Sequence, residues 1–479
     1  MSDLKSQVLH GIKWSFFAKL TAQIFSWIST FFVMRMLSPE DYGVVAIAMV
    51  FFTFIILFTS NGFISALVRT QSNDKKTNNA IFTISLTLNL ILSAVMAFSA
   101  SFISKWYDND QLFEVLVVLA CTAPLSSFSV VPTAKLQINM KFKAKSICEA
   151  MAGFVATIVA FSMAYYGMAY WALIVSNCAL VFIRVLSLNF IAKTSYYPTL
   201  NFSGMKETLA FSLRLQMGSA IWFISNKADT FLIGRYLGVA QAGIYNVANE
   251  IASIPMTKIN SIMNEVAFSA FAKTKNDKKQ ANLYLSKALK MLSVITFPVF
   301  FGIASISNEL VLVLLGEKWE ASIPIISILC LVLPFRMMLS VMGNYSNGMG
   351  ESKFGLNNAY ITSSMMLGAI FVGVHYGLME LAILWSSSVA LTYVFMVYRY
   401  IKKFDLKLSN LIVYIPVFVV SVSMYLVINV LSWYFNPLIS FLDGNIMIIL
   451  SLKVIIGVMF SMPFLLFFYG KEFRELLRK

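Results

Sequence analysis

The chain has 479 residues, 59% of them hydrophobic and only 12% charged, whereas a soluble domain carries about 25% charged residues. That much apolar surface exceeds what a soluble core hides, so the net charge of +15 does not point to nucleic acid and an ordinary soluble enzyme is excluded. The four cysteines, Cys121, Cys148, Cys178 and Cys330, lack metal or redox spacing, and the two histidines, His10 and His375, are isolated, so no disulfide, metal site or histidine catalysis is expected.

A spanning helix needs about 20 apolar residues. Read in chain order, the apolar runs predict spans over 14–36, 43–68, 80–104, 112–133, 148–167, 170–192, 208–236, 244–268, 285–306, 322–343, 355–375, 378–399, 409–433 and 445–469. The fold class is therefore an all-α integral membrane protein of about fourteen transmembrane helices. The stretch from Trp14 has no small-residue cleavage site after it and is expected to remain as the first span. With loops alternating sides, 26 of the 37 Lys and Arg residues fall on the side of the N-terminus and 4 on the other, namely Arg35, Lys105, Arg235 and Lys318. The positive-inside rule then predicts that both termini are cytoplasmic.

An internal repeat is visible. Residues 31–48 (FFVMRMLSPEDYGVVAIA) and 231–248 (FLIGRYLGVAQAGIYNVA) match at Phe31, Arg35, Leu37, Gly43 and Ala48 with an offset of 200, and Asn73 to Lys76 has a counterpart in Asn276 to Lys279. Six spans separate the copies, so both enter the membrane in the same direction. The repeat is parallel and predicts an N-terminal six-helix lobe over 1–200, a second over 201–403, an appended helix pair with a basic tail over 404–479, and a cavity where the lobes meet.

Polar residues within spans mark candidate lining positions. Lys19, Gln23, Ser26 and Thr30 share one face of the first span; Ser219, Phe223, Asn226 and Thr230 hold the matching positions of the seventh. The eighth carries a longer stripe of Asn246, Glu250, Ser253, Thr257, Asn260, Ser261 and Asn264. Any one hydroxyl or amide serves equally well as a helix-to-helix hydrogen bond. Ionisable residues are the sharper signal, since each costs about 2.5–3.5 kcal/mol at a helix centre on insertion scales. They are Lys19, Arg214, Lys227, Asp229, Glu250, Lys258, Glu265 and Arg336. Arg184 and Lys453 are expected to snorkel to the membrane surface. A lumen lined by Lys19, Arg214, Lys227, Lys258 and Arg336 would attract an anion such as a phosphate or acidic sugar. Asp229 and Glu250 are the candidates for coupling H+ or Na+, with an ion-pair role as the alternative. No phosphate loop, nucleophile elbow or metal cluster is present, which argues against an enzyme and against any cofactor.

The segments Arg35-Met-Leu-Ser-Pro-Glu-Asp-Tyr-Gly43, Leu136-Gln-Ile-Asn-Met-Lys-Phe-Lys143, Tyr170-Trp-Ala-Leu173, Asp229-Thr-Phe-Leu-Ile-Gly-Arg-Tyr-Leu-Gly238, Ala242-Gly-Ile-Tyr-Asn-Val-Ala248 and Ile254-Pro255 together resemble the polysaccharide transporter branch of the multidrug/oligosaccharidyl-lipid/polysaccharide (MOP) flippase superfamily, Wzx-type. The resemblance runs from residue 11 to about 360 and departs from the family pattern at Ile138, where the family has Arg after Leu-Gln. It implies two six-helix lobes around a cationic cavity, alternating access driven by an ion gradient, and a place in the bacterial cytoplasmic membrane. The implied activity is translocation of undecaprenyl-pyrophosphate-linked oligosaccharide to the outer leaflet for O-antigen, capsule or exopolysaccharide assembly, with polysaccharide polymerase and chain-length regulator proteins as partners and no nucleic acid. A peptidoglycan-precursor flippase, a multidrug exporter or a membrane polysaccharide polymerase are the alternatives. The basic residues weigh against the exporter and the short loops against the polymerase.

Overall fold

The computed structural model describes residues 29–71, 74–273, 277–441 and 446–477, with side chains described for all but 221–222, 260–270, 272–273, 433–441 and 467–477 of these. All regular structure among them is helical. We label the helices α1 (29–36), α2 (Pro39–Thr70), α3 (Lys75–Trp106), α4 (Gln111–Ile138), α5 (Phe142–Tyr165), α6 (Trp171–Ala192), α7 (Lys206–Tyr236), α8 (Val239–Lys273), α9 (Lys278–Leu314), α10 (Glu317–Gly348), α11 (Ser352–Gly373), α12 (Leu378–Phe404), α13 (Ile415–Phe441) and α14 (Ile446–Leu477). Ten of them, α2 to α6, α9, α10 and α12 to α14, are long and apolar enough among the described residues to cross a membrane. Several helices outrun the apolar stretch that announces them; α9, expected over 285–306, occupies Lys278–Leu314. Two compact units divide the chain, Met1–Gly243 and Ile244–Lys479.

In the first unit the motif around Ser38 acts as a helix start. Ser38 Oγ accepts from Asp41 N–H at 3.1 Å, Asp41 Oδ2 accepts from Ser38 N–H at 2.8 Å, and Pro39 occupies the first turn. This is a capping box, satisfying backbone donors that a helix N-terminus otherwise leaves bare. One turn on, a methyl group on Gly43 would overlap the carbonyl oxygen of Val239, and one on Gly243 would overlap that of Pro39. Shifting each residue by 200 exchanges the two contacts, as a two-fold relation requires. Both helices start at this crossing.

Side-chain links at the ends of this unit follow the alternation of the loops. At one end Arg235 donates to the Trp106 carbonyl at 2.7 Å, lies 3.5 Å from Asp108 and stacks over the Trp106 ring at 5.1 Å. Tyr107 Oη donates to the Phe231 carbonyl at 3.2 Å, and Asn109 donates to Glu40 at 3.4 Å. Burial pushes the Tyr107 phenol up from its ordinary value, opposed by Arg235, so it stays a donor. The opposite end joins the loops that follow α2, α4 and α6. Lys76 bonds Ser203 at 2.7 Å, Lys135 donates to the Lys193 carbonyl at 3.2 Å, and Arg69 lies 3.9 Å from Glu207. That end also carries Lys75, Lys141, Lys143, Lys145 and Lys206, the asymmetry that the positive-inside rule describes.

Two helices of this unit are irregular inside the membrane. Helix α2 contains a π turn at Leu57–Asn61 and α4 a 3₁₀ stretch at Ala123–Ser129. Asn89 of α3 bridges them: its amide donates to Thr59 Oγ1 at 2.8 Å and to Ser127 Oγ at 2.7 Å, while Ser85 Oγ donates to the Thr59 carbonyl at 2.7 Å. Pro132 lacks the N–H that would bond the Phe128 carbonyl. Asn189 and Tyr196 of the α6 side supply that carbonyl instead, each at 2.9 Å.

In the second unit α13 and α14 pack on α9. Phe297 and Phe301 of α9 meet Tyr414 and Phe418, with Phe297 stacked on Tyr414 at 5.6 Å, and Phe335 and Tyr393 close the cluster from α10 and α12. Lys453 of α14 does not snorkel. Its ammonium lies 2.6 Å from Glu309 Oε1, with the side chains only 12% and 7% exposed. Arg184, the other residue expected to snorkel, is held 2.9 Å from Glu149 of the neighbouring α5. The Lys453 pair is buried, whereas the Arg184 pair is partly open, but in each a carboxylate of a neighbouring helix lies within hydrogen-bond reach of the cation.

Replacing Gly43 or Gly243 by Ala should cost about 2 kcal/mol or more by forcing the helices apart, read as a lower melting temperature of the purified protein. Gly153→Ala, which meets nothing within 4 Å, should leave it unchanged. Breaking the α9–α14 pair by Glu309→Gln or Lys453→Met should cost about 3–5 kcal/mol each, and the double variant clearly less than the sum. Additive losses in that cycle would show that the pair does not hold α14.

Candidate functional site

Helix α7 turns one face to the rest of the first unit. Ser212, Gln216, Phe223 and Thr230 are buried along it, and Gln216 fits against Gly62 of α2 so closely that a Cβ there would lie 2.6 Å from Gln216 Cγ. Gln216 Nε2 donates to Ser212 Oγ at 3.3 Å. Asp229 is also buried, at 8% exposure, and its Oδ1 accepts from the backbone N–H of Thr230 at 2.7 Å. Asn226 and Lys227 are half-buried, whereas Arg214 is exposed. At about 100° per residue, Arg214 and Lys227 stand about 140° apart around the helix. They do not share a face of α7.

Helix α8 separates its residues cleanly by polarity in the second unit. Ile244, Tyr245, Val247, Ala248, Ile251 and Ala252 are buried. Asn246 and Ser253 are half-buried and Glu250, Thr257 and Lys258 exposed. Asn246, Glu250, Ser253 and Thr257 follow at intervals of four, three and four, so a single open polar face contains the carboxylate. A polar face open along a helix inside a membrane protein belongs against water or a polar ligand, because hydrocarbon offers its groups no partner. Arg336 is half-buried in α10, its guanidinium 5.4 Å over the ring of Trp385 in α12, an arrangement that suits a desolvated cation.

Lys19, Gln23 and Ser26 lie outside the described residues, and Asn260 and Glu265 lie among those whose side chains are not described. Of the remaining expected residues, Arg214, Asn226, Lys227 and Asp229 belong to the first unit, and Glu250, Ser253, Thr257, Lys258 and Arg336 to the second. Sequence reading passed over the Asn89 knot and Glu309. Ser85, Asn89 and Ser93, four residues apart on α3, were the available signal for the first. Glu309 sat in an expected loop because the apolar run of α9 stops at 306, three residues short of it. Among the described residues no three His, Cys, Asp or Glu side chains gather as a metal site.

The family described as "Polysaccharide biosynthesis protein" matches residues 32–324. The chain is 25% identical to the succinoglycan biosynthesis transport protein ExoT of Rhizobium meliloti, over 79% of this chain and 76% of that protein. It is 23% identical to the lipopolysaccharide biosynthesis protein WzxC of Escherichia coli, over 78% and 76%, and 22% identical to the teichuronic acid biosynthesis protein TuaB of Bacillus subtilis, over 85% of each. In fold it is similar to the lipid II flippase MurJ in an inward closed conformation, with a TM-score of 0.75, 16% identity and coverage of 95% of this chain and 99% of that one. An inward-facing MATE family multidrug transporter of the MOP superfamily aligns with a TM-score of 0.57, 17% identity and coverage of 85% and 95%.

Proposed function

The chain belongs to the polysaccharide biosynthesis protein family, and from that membership we propose that it is a flippase carrying undecaprenyl-pyrophosphate-linked oligosaccharide from the cytoplasmic to the outer leaflet. It is an all-helical, multi-pass membrane protein of the flippase and transporter kind. Three relatives named for succinoglycan, lipopolysaccharide and teichuronic acid biosynthesis support the cargo class. The observation that carries the reading is the open polar face of α8, with Asn246, Glu250, Ser253 and Thr257 in line opposite a buried apolar face. Such a face fits a transport path for a headgroup and has no use in a purely lipid-bounded helix.

In this reading the molecule spans the membrane about fourteen times, with cytoplasmic termini, and works by alternating access between lobes 1–200 and 201–403. Cations at Lys19, Lys227, Lys258 and Arg336 receive the pyrophosphate or acidic sugars, and Arg214, on another side of α7 from Lys227, stands apart from that set. Asp229, buried on α7, and Glu250, on the open face of α8, couple the cycle to H+ or Na+. A headgroup with two phosphates and several sugars has more polar groups than any one helix can meet, which is why donors on α7, α8 and α10 are all assigned to it.

Deleting the gene should abolish surface polysaccharide and leave lipid-linked repeat units in the cytoplasmic leaflet; polysaccharide made at normal levels would sink the reading. Lys227→Met and Lys258→Met should each lower export about tenfold or more with normal membrane levels. Full export in both would return these lysines to structural roles. Export that is indifferent to collapse of both the proton and sodium gradients would remove Asp229 and Glu250 as coupling groups.

A further inference from the structure

Helix α2 of the first unit has an open face unlike that of its repeat partner. Val50, Thr53, Phe54, Leu57 and Phe58 are half-buried and Asn61 is exposed, while Ile47, Ala48, Phe52 and Ile55 behind them are buried. The spacings of three, one, three, one and three place the first group on one side of the helix. Phe54 and Phe58 are stacked, with centroids 5.9 Å apart and planes 25° from parallel, and the buried Phe223 of α7 backs Phe54 at 6.1 Å. A π turn covers Leu57–Asn61 at the end of this face.

The polar groups on this face decide what meets it. Neither Asn61 nor Thr53 makes a side-chain hydrogen bond among the described residues. An exposed, unmatched amide inside a span is costly against hydrocarbon, so the face meets water or a ligand rather than lipid tails. Two hundred positions later the corresponding residues are Ser253, Ile254, Thr257, Lys258 and Ser261, without an aromatic ring. Helix packing that is common to both copies therefore does not require Phe54 and Phe58.

We propose that the α2 face formed by Phe54 and Phe58, flanked by Thr53 and Asn61, is a carbohydrate subsite that stacks the sugar rings of the transported oligosaccharide. It rests on the flippase reading above. A pyranose presents a face of C–H groups that lies flat on an aromatic ring, and its equatorial hydroxyls reach sideways to an amide and a hydroxyl. An isoprenoid chain would match the rings but leave Asn61 and Thr53 without partners. The stacked ring pair thus holds the sugar portion, and the cations assigned above hold the pyrophosphate.

The test uses the full-length chain in the deletion strain. Phe54→Leu and Phe58→Leu, which keep apolar volume and lose the ring, should each lower surface polysaccharide about tenfold at normal membrane level, whereas Phe58→Trp should stay within about threefold of the original chain. Leucine variants that export as well as the original overturn the proposal. A second measurement does not depend on export: in purified protein carrying Phe58→Trp, the indole emission should change on adding lipid-linked repeat units extracted from the deletion strain and not on adding undecaprenyl pyrophosphate without sugar. An equal response to the sugar-free carrier overturns the proposal and gives the face to the carrier instead. Failure of the flippase reading is separate, since it shows as failure of the unsubstituted chain to restore polysaccharide.

Discussion

Two carbonyl oxygens set against two glycines organise the first half of this protein. In hydrocarbon there is no hydrophobic force to drive one apolar helix onto another, so association depends on how closely backbones can approach. Gly43 and Gly243 let α2 and α8 meet at their first turns, each glycine against the backbone of the other helix at Val239 and Pro39. Everything nearby is aligned by that contact. The capping box at Ser38 sets where α2 begins, Gly234 admits Ile47 and Tyr107 to within 3 Å of where a side chain would start, and Arg235 closes the same end against Trp106 and Asp108.

The membrane imposes a second constraint, that every backbone polar group inside it finds a partner within the protein. Regular helices meet it without help. The π turn of α2 and the 3₁₀ stretch of α4 do not, and each irregularity is matched by a side chain from a third helix: Ser85 on the Thr59 carbonyl, Asn189 and Tyr196 on the carbonyl that Pro132 releases at Phe128. Such side chains are polar and buried, yet their task is to complete the backbone. That is the physical reason a buried Asn or Ser in a span is weak grounds for a binding role, and why the exposed Asn61 carries more information than Asn189, whose amide is spent on the Phe128 and Val185 carbonyls.

The helical class and the order of the helices were legible in the sequence because each rests on a long-range average over apolar runs of about 20 residues, and the glycine crossing of α2 and α8 was signalled by identities at one constant offset. Helix ends were less legible. The apolar run of α9 ends before the helix does, since a helix continues past the hydrocarbon into the interface, and this concealed Glu309. Lys453 was misread for a related reason: a lone lysine near a helix end predicts snorkelling, and only the packing of α14 on α9 reveals that a carboxylate lies closer than the surface. Of the candidate site, the polar face of α8 was readable from spacing alone. The opposed orientations of Arg214 and Lys227 were also present in their separation of thirteen residues, but a list of charged residues does not register phase.

The repeat gives a reason to weigh differences between its copies above likenesses. Positions that match at the offset of 200, such as Gly43 with Gly243 and Ala48 with Ala248, are those at which both copies solve the same packing problem, and they say little about cargo. Below the crossing the copies part. Where α8 has Glu250, Ser253, Thr257 and Lys258, α2 has Val50, Thr53, Leu57 and Phe58, although both faces stay open. At these open positions the two copies are free of a common structural demand. One open face suits charge and hydrogen bonding, the other ring stacking with a few hydroxyl and amide groups. The cargo proposed above, with a pyrophosphate at one end of a chain of sugars, has need of both kinds of surface.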